Sequence, residues 1–517
     1  MDTLFTKSIR YLEESAAPVW YCIATFFAAT TLRNFFEAFS SGYTITPDII
    51  LNYTASYAAL GLVLLVLFNT LTGVELIKLL RLISSGFLIL ASVPLVDLIL
   101  SSGKGFYVAF LMPEVHGSLL VRFFTFFGPM GQYGVSPGMK LEIALVLAVS
   151  FFYIYEKCDS LLRAALGTLA VYTTIFFYLA LPYALEFFAH LTSISFWPAD
   201  PTQRSLVGTS VFILICFAVL GYIAYTQQKS LLHALLRDLR APRLIHYWLM
   251  FLLGYVLASS ITPPSGTLFL SLLLVPLAIM CAWVFSVITN NIADIEIDRV
   301  SNPSRPLVVK SVALAEYRAA GFISLAAALF AAAAAGFSAF FAIVLFIGNY
   351  FLYSMPPLRL KRVPYFSKLA VVVNSAVLAM LGYAMATGIS TSDSGYAAIL
   401  ALKTSLASIF PITFALFFVL ILAVNFIDIK DYDGDKQEGI KTLPVLLGLP
   451  LSKLIIGASF FILYCAIAFM LSNAWLSAGT IGFGLLQFLL INKKMYREQP
   501  VFAVHLLSLV CLLFIVS

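Results

Sequence analysis

A chain of 517 residues that is 61% hydrophobic and only 11% charged is excluded from the soluble globular class, in which about a quarter of residues carry charge. With a mean hydropathy of +0.98 it reads as an all-α polytopic membrane protein. The formal charge of +6 needs no nucleic-acid partner, because the basic residues divide by membrane side, as shown below.

In chain order, Met1 to Ala16 carries Asp2, Lys7, Arg10, Glu13 and Glu14 ahead of the first apolar run, with no short apolar core leading to a small-residue cleavage site. The first helix is therefore expected to stay as an anchor. At about 20 apolar residues per span, helices are expected near 17–34, 53–72, 83–101, 141–156, 162–191 and 207–226. A basic amphipathic connector from Gln227 to His246 follows, with Lys229, His233, Arg237, Arg240 and Arg243. Nine more spans are expected near 246–262, 267–289, 312–333, 337–354, 367–388, 404–427, 451–471, 475–491 and 500–517, about 15 in all. The connector is the domain boundary: residues 1–228 form an N-terminal membrane domain of about six helices, and residues 229–517 a second domain of nine.

Six scattered cysteines (Cys22, Cys158, Cys216, Cys281, Cys465 and Cys511) read as buried thiols. His116, His190, His233, His246 and His505 share no ligand spacing. Asp97, Glu142 and Glu186 fall near outer ends of spans and are expected at the interface. The loop Phe124–Leu141, rich in glycine and proline, carries no assignable chemistry.

With the N-terminus inside, 25 of the 31 basic residues fall on one side, leaving Arg33, Lys104, Arg122, Lys140, Arg204 and Lys403 on the other. The positive-inside rule makes the first side cytoplasmic. The protein is then a multi-pass cell-membrane protein whose N-terminus and two acidic stretches face the cytoplasm.

Those stretches are Asn290-Asn291-Ile292-Ala293-Asp294-Ile295-Glu296-Ile297-Asp298 and Asn425-Phe426-Ile427-Asp428-Ile429-Lys430-Asp431-Tyr432-Asp433-Gly434-Asp435, each closing an apolar segment. Asn290, Asp294 and Asp298 recur every four residues, as do Asp431 and Asp435, so in a helix each set lines one face. Two such ridges point to hard cations between them and, through the cations, to a diphosphate. The flanking loops supply cations: Arg305, then Arg359 and Lys361 after Tyr353, and Lys436 after the second ridge.

Asn290…Asp294…Asp298, the Tyr-Ser-x-Pro-Pro-x-Arg-Leu-Lys run at 353–361, and Asp428-x-x-Asp431-x-x-x-Asp435-x-x-x-Gly439-x-x-Thr442-Leu443-Pro444 resemble, in order and spacing, the UbiA superfamily of intramembrane prenyltransferases over roughly residues 240–517. The resemblance implies a nine-helix bundle that moves a polyprenyl group from a polyprenyl diphosphate donor to a hydrophobic or aromatic acceptor, such as a quinone precursor, or to a glycerol-phosphate lipid. It implies Mg2+ held by Asp294, Asp298, Asp431 and Asp435, assisted by Asn290 and Asp428, with Arg305, Arg359, Lys361 and Lys436 gripping the diphosphate and Tyr353 beside it. Within the same superfamily the alternative is a lipid transferase using phosphoribosyl diphosphate; outside catalysis the alternatives are lipid binding and transport. Transporters place charge at the midplane on broken helices, whereas these carboxylates lie at helix ends. One departure stands out: Asn291 occupies a position where the family usually has Asp, so the ridge lacks one negative charge. Asn291→Asp is then expected to complete a family-like cluster and to tighten magnesium dependence without abolishing activity.

Overall fold

The computed structural model describes residues 4–41, 46–106, 119–128, 135–192, 201–259, 268–362, 366–387, 419–437, 439, 441–470 and 474–516. Among them every regular element is helical. The chain divides into two units, Met1–Lys229 and Ser230–Ser517.

The first unit contains α1 (Leu4–Glu13), α2 (Val19–Ser41), α3 (Pro47–Thr72), α4 (Leu76–Gly86), α5 (Val93–Leu100), α6 (Leu119–Phe124), α7 (Pro137–Cys158), α8 (Leu161–Thr192) and α9 (Pro201–Gln227). The second begins with α10 (Lys229–Asp238), followed by α11 (Ala241–Ser259), α12 (Leu268–Ala293), α13 (Ile295–Ser301), α14 (Leu314–Ala335), α15 (Phe337–Ser354) and α16 (Phe366–Ala386). An apolar helical stretch, α17 (Val419–Ile429), then leads to α18 (Tyr432–Gln437), α19 (Leu443–Leu447), α20 (Leu449–Met470), α21 (Ala474–Ile491) and α22 (Glu498–Val516).

Twelve of these segments are long and apolar enough to cross a bilayer. The expected spans at 17–34, 404–427 and 500–517 are not among them. Arg33, Asn34 and Glu37 make the continuous helix α2 less apolar, residues 404–418 lie outside the described residues, and the last apolar stretch, Glu498–Phe514, is shorter.

In the first unit the structure corrects the placement of Asp97 and gives partners to two further charged groups, Arg33 and Glu142. Arg33, counted among the outer-loop cations, is only 1% exposed; its guanidinium lies 5.1 Å from the Tyr53 ring centre and 3.6 Å from Glu37. Asp97, expected at the interface, is 2% exposed and accepts the Gly138 N–H at 2.7 Å. Glu142 lies within electrostatic reach of Arg33. The reason for Asp97 is local: α7 starts at Pro137, Ser136 caps the Met139 N–H, and the carboxylate satisfies a further free donor at the positive end of that helix. A Cβ at Gly138 would come within 2.8 Å of Asp97 Oδ1, so the contact requires glycine.

In the second unit, α11 and α16 cross at backbone distance. A Cβ on Gly254 would meet the Ala379 carbonyl at 1.7 Å, and one on Gly382 would meet the Phe251 carbonyl at 2.0 Å. In lipid, where apolar surfaces gain little by leaving the solvent, such small-residue contact is what holds helices together.

Candidate diphosphate and metal site

The first acidic ridge is continuous despite a break in its helix. Asp294 sits between α12 and α13 with φ −108° and ψ 9°, yet its N–H still bonds the Asn290 carbonyl at 3.0 Å and the Asp298 N–H bonds the Asp294 carbonyl at 2.8 Å. The four-residue step survives, so Asn290, Asp294 and Asp298 do share a face.

Each carboxylate meets cations from a distant loop. Asp294 accepts Arg359 Nη2 at 2.5 Å on one oxygen and the Lys361 ammonium on the other. Lys361 also reaches Asn290 Oδ1 at 3.2 Å, which further accepts the Ser354 hydroxyl at 3.1 Å. Arg359 adopts φ +42°, a left-handed conformation uncommon outside glycine, and such outliers persist where surrounding contacts over-determine them. Asp298 pairs with Arg305 at 2.8 Å and accepts Asn302 Nδ2 at 3.1 Å. Burial raises the Asp298 pKa although Arg305 opposes it; burial lowers that of Lys361 although Asp294 opposes it.

The second ridge is built similarly. Asp428, within the 3-10 turn Val424–Ile429, accepts Lys368 Nζ at 2.5 Å. Its other oxygen is buried with no hydrogen-bond partner among the described residues. The Asp435 N–H bonds the Asp431 carbonyl at 2.8 Å, so these two also share a face. Partial burial and the facing Asp428 carboxylate push the Asp435 pKa up to about 6. Asp431 adds to that repulsion.

One basic segment therefore serves both ridges: Arg359 and Lys361 hold Asp294, and Lys368, seven residues further on, holds Asp428. Two other expected residues make contacts of a different kind. Lys436 lies over its own neighbour's ring, 5.7 Å from Tyr432, and Tyr353 packs edge-on to Tyr350 at 6.0 Å. Among the described residues no three Asp, Glu, His or Cys side chains converge as a closed metal cage.

Sequence reasoning missed the roles of five participants. Lys368 was visible only as one more cytoplasmic cation. Arg240 and Arg243 were counted as topology anchors, yet burial and the positive charges of Arg243 and Arg305 lower the Arg240 pKa to about 10. Asp238 and Tyr317 form a buried chain through Asn291. The Tyr317 hydroxyl donates to Asp238 Oδ2 at 2.6 Å, Asn291 Nδ2 donates to the Tyr317 oxygen at 3.0 Å, and Arg305 Nη1 donates to Asn291 Oδ1 at 2.5 Å. The arginine can only donate, which fixes the amide's orientation. Asn291 is thus the link that sets Arg305 against Asp298.

Residues 247–510 match the model of the UbiA prenyltransferase family. The digeranylgeranylglyceryl phosphate synthase of Thermococcus sibiricus is 31% identical over 205 residues, 39% of this chain and 63% of the relative. Naringenin 8-dimethylallyltransferase 2 of Sophora flavescens is 30% identical over 190 residues, 36% of this chain and 44% of the relative. This chain therefore spans less than two thirds of either relative. A solved UbiA homolog from Archaeoglobus fulgidus, bound to GPP and Mg2+, aligns at 21% identity over 55% of this chain and 99% of that one, with a TM-score of 0.39. With just over half its length matched by the family model, the chain belongs to the UbiA prenyltransferase family.

Proposed function

We propose that residues 229–517 form a magnesium-dependent membrane prenyltransferase that moves a polyprenyl group from a polyprenyl diphosphate to a hydrophobic, aromatic or glycerol-phosphate lipid acceptor and releases diphosphate. All the site residues lie in this part, so residues 1–228 are assigned no catalytic role. The observation that carries the reading is the basic segment 359–368 clasping a carboxylate of each ridge. Family membership and the names of the two relatives support it.

The donor set fits a hard cation. It offers only oxygen ligands, one buried Asp428 oxygen has no hydrogen-bond partner among the described residues, and the Asp428, Asp431 and Asp435 carboxylates repel one another. A closed cage is not required, because magnesium is usually bound by one or two carboxylates, with water and substrate phosphate completing its shell. Asp294, Asp298, Asp431 and Asp435 would hold it, with Asn290 and Asp428 assisting. When bound, the metal supplies charge neutralisation for the leaving diphosphate.

The chain's own groups do the rest. Arg359, Lys361, Arg305 and Lys368, which neutralise the carboxylates, are the cations closest at hand for phosphate oxygens. Arg240 and Arg243 add positive charge whose mutual repulsion a polyanion relieves. The apolar helices keep water from the developing allylic cation. The excess of basic residues in the loops beside them supports a cytoplasmic position for the ridges.

The test uses the full chain in nanodiscs with labelled geranylgeranyl diphosphate, reading transfer and diphosphate release separately. Asp294→Ala, Asp298→Ala, Asp431→Ala and Asp435→Ala are each expected to lower transfer by at least ~100-fold. Near-normal turnover in two folded variants refutes the two-ridge site, and turnover only with phosphoribosyl diphosphate reassigns the donor.

A further inference from the structure

Alkylation of a hydroxyl forms a C–O bond at C1 of the donor and breaks the C1–O bond to diphosphate, whose oxygen keeps the electron pair. It also frees the hydroxyl proton. Asp294, Asp298 and Asp428 are already engaged by lysine and arginine, and Asp431 and Asp435 are committed to the metal in the proposed reading, so the proton needs another base.

A chain of three polar side chains in the apolar bundle supplies one. His246 on α11 has Nε2 2.8 Å from Ser375 Oγ on α16, and His505 on α22 has Nε2 3.2 Å from His246 Nδ1. The Ser375 hydroxyl lies 2.8 Å from the Val371 carbonyl, to which it donates. That bond sets the polarity of the rest. With its proton on the carbonyl, Ser375 Oγ accepts from His246 Nε2–H. His246 Nδ1 is then a lone pair, which accepts from His505 Nε2–H. His505 Nδ1 is left as a buried lone pair with no hydrogen-bond partner among the described residues. The reverse polarity would strand an N–H instead, and orphaned buried donors are rarer than under-satisfied acceptors.

The chain's position suits the task. The His505 ring packs against Phe460 at 6.1 Å and Phe502 at 6.3 Å. The same two rings lie 5.8 and 5.6 Å from Phe426, two residues before Asp428. Along α16, Ser375 follows Lys368 by seven residues, or roughly 10 Å at the helical rise. Ser375 therefore stands inside the bundle about two turns from the lysine that holds Asp428, and His505 at the other end of the chain stands against the Phe460 and Phe502 rings that pack on Phe426.

We propose that His505 Nδ1 takes the proton of a hydroxyl-bearing acceptor, an alcohol or a phenol, with His246 and Ser375 as positioning residues. This inference rests on the prenyltransferase reading. His505→Gln keeps a donor toward His246 but has no base at the Nδ1 position, and Ser375→Ala removes the acceptor that sets the polarity. In nanodiscs with Mg2+ and labelled geranylgeranyl diphosphate, acceptors are a glyceryl monoether phosphate and a hydroxylated aromatic acid. With whichever one the wild type uses, His505→Gln is expected to lower transfer by ~10²- to 10⁴-fold, the usual scale for a lost general base. Ser375→Ala is expected to lower it about tenfold. Acceptor-independent diphosphate release and donor KM should stay within about twofold in both, which a merely structural role would not allow. Transfer at wild-type rate in His505→Gln, a parallel loss of release in both variants, or 15N resonances showing His505 protonated at Nδ1 overturns the proposal. Absence of diphosphate release from the wild type with any acceptor overturns the prenyltransferase reading itself.

Discussion

Asn291→Asp restores the family-like acid and is nevertheless expected to damage the site. Asn291 is 3% exposed, and the Tyr317 hydroxyl has a single proton, already committed to Asp238 at 2.6 Å. The Tyr317 oxygen can only accept from position 291, where Asn291 Nδ2 stands 3.0 Å away. A carboxylate there turns this bond into an oxygen–oxygen contact, and a buried group left unsatisfied costs about 1–3 kcal/mol. The new charge draws on Arg305, but Arg305 already serves Asp298 at 2.8 Å, so the gain on one side is a loss on the other. The assay is a double-mutant cycle of Asn291→Asp, Tyr317→Phe and both together, read by thermal unfolding in detergent and by prenyl transfer. Removing the Tyr317 oxygen removes the clash, so the double variant should be less impaired than the sum of the singles, by about 1–2 kcal/mol. Asn291→Asp at wild-type stability and activity, or strict additivity, refutes the assigned polarity.

Other outcomes follow from the same site. Because burial and Asp428 raise the Asp435 pKa to about 6, the carboxylate proposed to bind magnesium is lost as pH falls through about 6, and magnesium affinity measured by calorimetry should drop across that interval. For the metal-free protein the sign is opposite: a carboxyl raised in the folded state favours folding at low pH, and that contribution fades as pH rises through 6. Asp435→Asn should accordingly stabilise the metal-free protein near neutral pH while abolishing its stabilisation by Mg2+, a comparison made by thermal unfolding with and without the ion. Lys368→Met leaves Asp428 buried and unpaired and should cost about 3–5 kcal/mol; adding Asp428→Leu should recover most of that stability but not activity. Arg240→Gln relieves repulsion with Arg243 and Arg305, so it should leave stability unchanged or raised while increasing the KM for the donor.

The sequence by itself determined the membrane class, the two ridges and most of the cations that meet them. Those features are carried by local information. Apolar runs of spanning length report the bilayer, and a four-residue repeat reports a helix face even where the helix breaks at Asp294. Which charge meets which was decided only by tertiary structure, because the partners lie far apart in the chain: Lys368 and Asp428 are 60 residues apart, Arg359 and Asp294 65, and Tyr317 and Asp238 79. Positive-inside reasoning counts a cation without locating its head group, so Arg240, Lys368 and the buried Arg33 were assigned only a side of the membrane. The histidines show the same limit most clearly. His246 and His505 are 259 residues apart and share no spacing a motif could reveal, and only the packing of α11, α16 and α22 turns them into a chain with a direction. Asn291 looked like a missing charge in the sequence; in the fold it is a hydrogen-bond donor that an aspartate cannot replace, because its neighbour's only proton is already spent.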